Sequence, residues 1–428
     1  MLGLVLGVFF VLMFLGIPIC GAMIVGAFVP YWLDGSFTAN MNVLLRSILS
    51  ATDSTPTLAI PLFMLSGAIM ANGGISEKLF DIFAVFIGKM RAGMPCDVVV
   101  TCLFFGAISG SGAATCAAVG AMCIPVLLDL GYDKLFAAAI VATASGLGII
   151  IPPSTPFIMY GVPTGTSVGD MFKAGIIPGI LIAFCLILYC ILYCTRHGED
   201  REKIDTKVDN LRAQGIFHIL KEGIWALLTP VIILGGIYSG IVTPTEAACV
   251  SVFYALFVSL FIYKTMKFSD LFTFMKNAVS SYAGICVMLC FAAAFSRVIT
   301  LLNVPTLVAN FVVENCSSRF VFLMAVNIAM LIMGMFMDTS AALVILAPIM
   351  VKSAAVFGIS AVQFGIILTV DLALGMVSPP VGISLFIIAP MIGEKSSAIT
   401  KAVLGPIFFF IIALLLITFI PAISMCLV

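Results

Sequence analysis

Two stretches of this chain carry the same unusual chemistry. Gly148 is followed by Pro152 and Pro153, and Gly375 by Pro379 and Pro380, the two elements lying 227 residues apart. Each sits inside an apolar run, GYDKLFAAAIVATASGLGIIIPPSTPFIMYG from Gly131 and GISAVQFGIILTVDLALGMVSPPVGISLFIIAPM from Gly358. Proline removes a backbone donor and disfavours helix in the residue before it, so both runs read as helices broken in the middle. A break frees carbonyl oxygens, which suit a hard cation such as Na⁺, and opens a half-helix N-terminus, which suits a carboxylate. Hydroxyls and acids stand nearby: Ser109, Ser111 and Thr115 in one small-residue segment, Asp338, Thr339 and Ser340 in another. With Pro152, Ser154 and Pro379 in the breaks, Ser111, Thr115, Asp338, Thr339 and Ser340 are expected to line a site for an anionic substrate. Small residues also permit close helix packing; the internal match between the two segments favours a site.

Lone ionisable groups in apolar runs add to this chemistry. Asp371 lies within ILTVDLALG, one helical turn before Gly375, and an acid at membrane depth is a functional candidate by default. Glu246 follows Thr243-Pro244-Thr245 at a span start, where it reads as a capping partner. Asp53, in ATDSTPTLAIP, suits an interrupted or shallow part of its span. Arg297 in SRVIT either meets a substrate carboxylate or snorkels to the outer interface, and snorkelling is the expectation. The thirteen cysteines fall almost wholly in apolar runs; pairs such as Cys190/Cys194 and Cys286/Cys290 lack nearby ligands and read as packing residues. His197 and His218 both lie in a charged segment, which leaves no constellation for an enzyme, and no phosphate-binding Gly-rich Lys-Ser/Thr loop occurs.

The elements that must position these groups are membrane spans. With 62% hydrophobic and 9% charged residues and a mean hydropathy of +1.26, the chain lies far from soluble usage, where about 25% of residues are charged. Zero formal net charge gives no footprint for nucleic acid. Residues 1–29 lack a basic n-region and cleavage site and read as a retained first span. Apolar stretches able to cross about 30 Å of hydrocarbon fall near 1–29, 44–71, 135–161, 172–195, 223–241, 245–263, 271–299, 361–391 and 402–427. Two more, 98–128 and 319–357, are interrupted by Ser109-Gly110-Ser111-Gly112 and Asp338-Thr339-Ser340, and read as re-entrant hairpins.

The repeat extends through those hairpins. GAISGSGAAT from Gly106 matches GMFMDTSAAL from Gly334 with a shift of 228, and 44–71 corresponds to 272–299. The unit is span, arm, hairpin, broken span, closing span, with amphipathic arms at 75–94 and 303–318; the first presents Phe80, Phe83, Ala84 and Ile87 as its apolar face. Five crossings separate the start of the first unit from the start of the second, so the two are inverted, the layout of secondary transporters. The expected fold is all-α and polytopic: a first inverted repeat over 1–195, a cytoplasmic linker over 196–222 without apolar periodicity until Ile216, and a connecting span with the second repeat over 223–428. Lys78, Lys89, Arg91, Lys134, Arg196, Arg201, Lys203, Lys207, Arg212, Lys221, Lys264, Lys267, Lys395 and Lys401 fall on the face of the N-terminus, against Arg46, Lys173, Arg297, Arg319 and Lys352 on the other. The positive-inside rule then makes the N-terminus cytoplasmic.

LAIPLFMLSGAIM at Leu58, SGSGAAT at Ser109, IPPSTPFIMYG at Ile151, SVGDMFKAGIIPG at Ser167, GMFMDTSAALVILAPI at Gly334 and SPPVGISLF at Ser378 resemble the large membrane subunit of tripartite ATP-independent periplasmic (TRAP) transporters. The resemblance covers nearly the whole chain. It implies a multi-pass protein of the bacterial inner membrane, partnered by a small four-helix membrane subunit and a periplasmic substrate-binding protein. Some relatives carry the small subunit fused at the N-terminus; here it is expected as a separate chain. The resemblance also implies Na⁺-coupled uptake of a carboxylate, such as a sialic acid or C4-dicarboxylate, by an elevator motion without any organic cofactor. A one-component Na⁺/carboxylate symporter of similar architecture is the alternative. The sodium sites it implies fall on Ser109, Ser111, Gly146 and Ile149, and on Gly334, Met337, Asp371 and Val377.

Overall fold

In hydrocarbon every backbone polar group must find its partner within the segment, and this sequence answers with helices throughout. The computed structural model describes residues 1–35, 37, 40–316 and 318–428, and no strand occurs among them. Nine of the described helices are long and apolar enough to cross a membrane.

The first repeat runs through Thr55–Asn72, an arm helix Ile75–Ile87, a hairpin of Gly93–Ser109 and Gly112–Asp129, a broken helix, and the closing helix Val168–His197. The broken helix comprises Lys134–Ala144, a 3₁₀ turn Ser145–Ile149 and Thr155–Thr164. The second repeat follows the same order: Phe268–Leu301, the arm Val304–Asn315, a hairpin of Arg319–Phe336 and Thr339–Val356, the broken helix Ala361–Gly375 and Ile383–Ile392, and Ser396–Phe419. Residue 317 of the expected second arm lies outside the described residues. Between the repeats come Arg201–Ala213, Ile216–Tyr238 and Pro244–Phe257, the last running into a π-turn Val258–Ile262.

Contacts at the helix ends show that the repeats are inverted. At one end Lys134, where the first broken helix starts, pairs with Glu394, just past the end of the second. Lys78–Glu222 and Lys89–Asp209 pairs and the Thr265 hydroxyl on the Gly73 carbonyl (2.8 Å) join other charged loops. At the other end the Tyr160 hydroxyl donates to the Ala361 carbonyl (2.6 Å), and Arg319 reaches Gln363 (3.4 Å). The first hairpin therefore opens from the basic end and the second from the opposite one. Every residue of 136–161 and of 363–378 is buried, so the two broken helices form the centre of the molecule. Segments buried on all sides need no apolar stripe, which is why these read as continuous apolar runs.

Several expected spans are divided. The segment 1–29 is two helices, Leu2–Phe14 and Ile19–Leu33, because Gly16 turns left-handed (φ 82°) and Pro18 caps the second helix. The segment 44–71 is Met41–Thr52 and Thr55–Asn72, interrupted at Asp53-Ser54 ahead of Pro56, whereas its counterpart Phe268–Leu301 is one helix of 34 residues with Gly284 in the proline's place. The linker is more ordered than its charge suggests. Ile204, Val208 and Leu211 form a helical stripe against the first arm, and Arg212 donates to the Val85 carbonyl (2.7 Å). In that arm Ile75, Leu79, Ile82 and Val85 are buried along with the expected Phe80 and Ala84, while Phe83 and Ile87 are half-buried.

Candidate functional site

Each hairpin tip lies on the break of its own repeat, and glycine permits the approach. A Cβ on Gly106 would come within 2.8 Å of the Gly148 Cα; one on Gly375 would come within 2.6 Å of the Gly334 Cα. Around the first contact oxygen atoms gather. Ser109 Oγ lies 2.9 Å from Thr115 Oγ1, which donates to the Ser111 carbonyl at 2.8 Å, and Ser109 Oγ is 3.3 Å from the same carbonyl. Thr115 Oγ1 would be 2.4 Å from a Cβ on Gly148, so this cluster is seated directly on the break. Backbone joins them too, since Thr155 N–H donates to the Gly110 carbonyl (3.2 Å).

The tips also initiate helices. Ser111 accepts from the Ala114 amide (3.4 Å) and Asp338 from the Ser340 amide (2.9 Å), so each caps the second arm of its hairpin. Ser154 caps the second half of the first broken helix by accepting from Phe157 N–H, and its hydroxyl donates to the Ile149 carbonyl at 2.5 Å. Ser109 and Thr115 are buried, whereas Asp338 is exposed, Ser340 half-buried and Thr339 buried with its hydroxyl unpartnered. Pro152 is buried and Pro379 half-buried beside the tips' breaks.

The two breaks meet each other. Ser145 and Ser384 hydroxyls lie 3.2 Å apart, Cys116 donates to the Ser384 carbonyl (3.6 Å), and Ser384 N–H donates to the Met376 carbonyl (3.1 Å). Gly146 faces Ala373, whose carbonyl is 3.5 Å from a Cβ placed there, and the Gly112 position abuts the Met376 side chain. Ser145 and Ser384 were not singled out in the sequence; a serine in an apolar run adjoining each break was the available signal.

The sodium set implied for the first repeat is thus brought together: Ser109 and Ser111 sit against the turn that holds Gly146 and Ile149. In the second, Gly334 touches Gly375 and Leu372, with Met337 and Val377 within three residues of that contact. Asp371 departs from this group. Its carboxyl is directed to Asn327, seven residues and about 10 Å of helix before Gly334, because side chains lean toward the helix N-terminus. Asn327 and its other neighbour Thr418 went unremarked in the sequence. So did Asp97, fully buried, which accepts from Thr101 (3.2 Å) through one oxygen only.

The weaker acids resolve plainly. Glu246 forms a capping box, its carboxylate accepting from Thr243 N–H (2.7 Å) and Thr243 Oγ1 capping the Glu246 amide (3.3 Å). Asp53 stands at the helix interruption. Arg297 is exposed, as a snorkelling side chain is, and it lines an open cleft of about 390 Å³ with Ser47, Ser50, Ser54, Ser296 and Thr300. Val162 and Pro163 of the first broken helix and Val344 of the second hairpin close the other wall. No tip or break residue of the expected site lines it. Among the described residues no carboxylate pairs with Arg297.

Known proteins share this arrangement. Over 93% of this chain and 96% of its own, the Alcanivorax borkumensis YdaH transporter superposes with a TM-score of 0.61 at 14% identity, a likeness of fold alone. In sequence, the chain is 37% identical over 419 residues to the isethionate TRAP transporter permease protein DctMQ of Oleidesulfovibrio alaskensis, covering 98% of this chain and 65% of that protein. It is 39% identical over 374 residues to the C4-dicarboxylate TRAP transporter large permease protein DctM of Pseudomonas aeruginosa, covering 86% of this chain and 85% of that one. Residues 6–423 match the family described as the tripartite ATP-independent periplasmic transporter, DctM component. With that match over nearly its whole length and nine described helices able to cross a membrane, this multi-pass helical chain belongs to the DctM component of TRAP transporters.

Proposed function

We propose that this subunit couples the inward flow of Na⁺ to the uptake of an organic acid. The observation that carries the reading is the twofold seating of a hairpin tip on a helix break, at Gly106 on Gly148 and Gly334 on Gly375, with the oxygens of Ser109, Ser111 and Thr115 converging at the first. Hard oxygen donors and freed carbonyls suit Na⁺, and the half-helix starts at Ser154 and Gly382 suit an anion. The two hairpins, taken as re-entrant, and the broken helices would move as one unit against the remaining spans in an elevator motion. The cavity at Arg297 lies where that unit meets Met41–Thr52 and Phe268–Leu301, and its cation and hydroxyls favour an acid such as the isethionate or C4-dicarboxylates of the named relatives.

The same reading places the basic end in the cytoplasm, the chain in a bacterial inner membrane, and a small membrane subunit and a periplasmic receptor beside it. The test is uptake into proteoliposomes holding this chain with both partners. Accumulation that continues when K⁺ replaces external Na⁺ would end the coupling reading, and uptake undiminished without the receptor would favour a one-component symporter.

A further inference from the structure

At the basic end two covalent connections run side by side, and one ion pair ties them. The first arm, Ile75–Ile87, packs on Ile216–Tyr238 besides the hairpin it feeds, while that hairpin packs on the closing helix Val168–His197. Residues 88–92 carry the chain from arm to hairpin. Residues 198–200 carry it from the closing helix to the linker helix Arg201–Ala213, which lies against the arm. Glycine sets that last contact: a Cβ on Gly88 would come within 2.8 Å of the Val208 side chain, and Asp209 pairs with Lys89 at 2.6 Å one residue further on.

Side chains satisfy the backbone of both connections. Arg201 donates from one guanidinium nitrogen to the Lys89 and Met90 carbonyls (3.1 Å each), groups freed where the arm ends. Glu199 accepts the Ala92 N–H on both carboxylate oxygens (3.1 Å each) and the Tyr132 hydroxyl (2.6 Å). That bond helps to hold Ala92 left-handed (φ 57°), a conformation alanine keeps only where its surroundings enforce it. Arg201 is thereby fastened to the end of the arm, and Glu199 to the hairpin and the first broken helix. The Glu199–Arg201 pair, at 2.7 Å, closes the gap between them. Arg201 is 42% exposed, so opening the pair would hydrate both charges without stranding a buried ion. The second repeat lacks such a tie: among the described residues, Cys316 and Ser318 at its arm–hairpin joint hydrogen-bond only within their flanking helices.

We propose that the Glu199–Arg201 pair is a latch, closed in this conformation and opened each time the hairpins and broken helices move against the remaining spans. The inference rests on the elevator motion proposed above. A cleft of about 550 Å³ separates Asp129, at the end of the first hairpin, from Thr206 of the linker helix, both exposed, and bridging it fixes the moving unit to the linker. The test is uptake into proteoliposomes with both partners by the Asp129→Cys/Thr206→Cys chain, treated with a short reversible bifunctional thiol reagent. Uptake should fall at least tenfold and return on reduction, while the wild-type chain and the two single variants, treated alike, keep theirs. Should the double variant be inactive before cross-linking, hydrogen exchange in the wild-type chain decides alone: amides of 88–93 and 199–204 should exchange at least tenfold faster during uptake than in the resting chain without substrate. Uptake that survives complete cross-linking, or equal exchange in the two conditions, overturns the latch and leaves transport of the acid standing; a wild-type chain that takes up nothing with both partners overturns both.

Discussion

Gly334 and Gly375 touch backbone to backbone: a Cβ on Gly375 would sit 2.6 Å from both the Cα and the carbonyl carbon of Gly334. The first repeat makes the same contact between Gly106 and Gly148, at 2.8 Å. Two inverted units that bring tip to break through paired glycines point to a shared requirement, namely that the tip's polar backbone reach the carbonyls freed by the break.

Alanine at Gly375 or Gly106 should therefore be disruptive, because the obstructing atoms are backbone and cannot rotate away. Overpacking of this kind costs about 1–3 kcal/mol, so thermal unfolding in detergent should move down by several degrees and uptake should fall. Gly112→Ala is the contrast. Its nearest neighbour is the flexible Met376 methyl, 3.0 Å from the added carbon, and it should keep near-wild-type melting. Equal melting for Gly375→Ala and Gly112→Ala would refute the argument.

Ser109→Ala should raise the Na⁺ concentration needed for half-maximal uptake, about tenfold if one charge-assisted oxygen contact of about 1.5 kcal/mol is lost. Glu246→Gln should not move it, since Glu246 serves a capping box at a span start. The measurement is the initial uptake rate against external Na⁺ at constant ionic strength.

Much of this arrangement was legible because its signals are local. Pro152-Pro153 and Pro379-Pro380 announce the breaks, and Thr243-Pro244-Thr245-Glu246 announces its cap, since both depend on residues a few positions apart. The inversion was readable from the count of spans. What was missed depends on packing across the chain. Ser145 meets Ser384 239 positions away, and Arg297 finds serines of a helix some 250 residues earlier, which no periodicity records. The Gly16–Pro18 interruption was hidden inside a run apolar enough to read as a single span, whereas the one at Asp53 was legible from its charge and the nearby proline. The stripe of Ile204, Val208 and Leu211 was masked by the charges around it.

Glu199 should act as a clasp at the basic end. Its side chain is 3% exposed and accepts from Ala92 N–H (3.1 Å), the Tyr132 hydroxyl (2.6 Å) and Arg201 (2.7 Å), joining the loop after the closing helix to the arm–hairpin joint and to the start of the broken helix. Removing one partner of a buried pair costs about 3–5 kcal/mol; Arg201 is 42% exposed, which places Glu199→Ala nearer the lower figure. Glu199→Gln keeps one acceptor oxygen and should fall between. Thermal melting of the three proteins gives the order, and a Glu199→Ala protein as stable as wild type would remove the clasp.

Arg297 offers the sharpest test of where the acid passes. It stands in a cavity rimmed by Ser47, Ser50, Ser54, Ser296 and Thr300, with no carboxylate of the described residues to neutralise it, so an anionic guest is its natural counterpart. A hydrogen bond to a charged group is worth about 1.5–3 kcal/mol, so Arg297→Gln should raise the apparent KM for the transported acid roughly 10- to 150-fold. Arg297→Lys should recover only part of that loss, since ammonium keeps the charge but not the two-pronged geometry that fits a carboxylate. Arg319→Gln is the control: Arg319 lies at the start of the second hairpin, engaged with Gln363, outside the cavity. The rate against substrate concentration at saturating Na⁺ decides it. An unchanged KM in Arg297→Gln would move the acid's path elsewhere, and an equal rise in Arg319→Gln would mean that net charge at this end, and not the cavity, attracts the substrate.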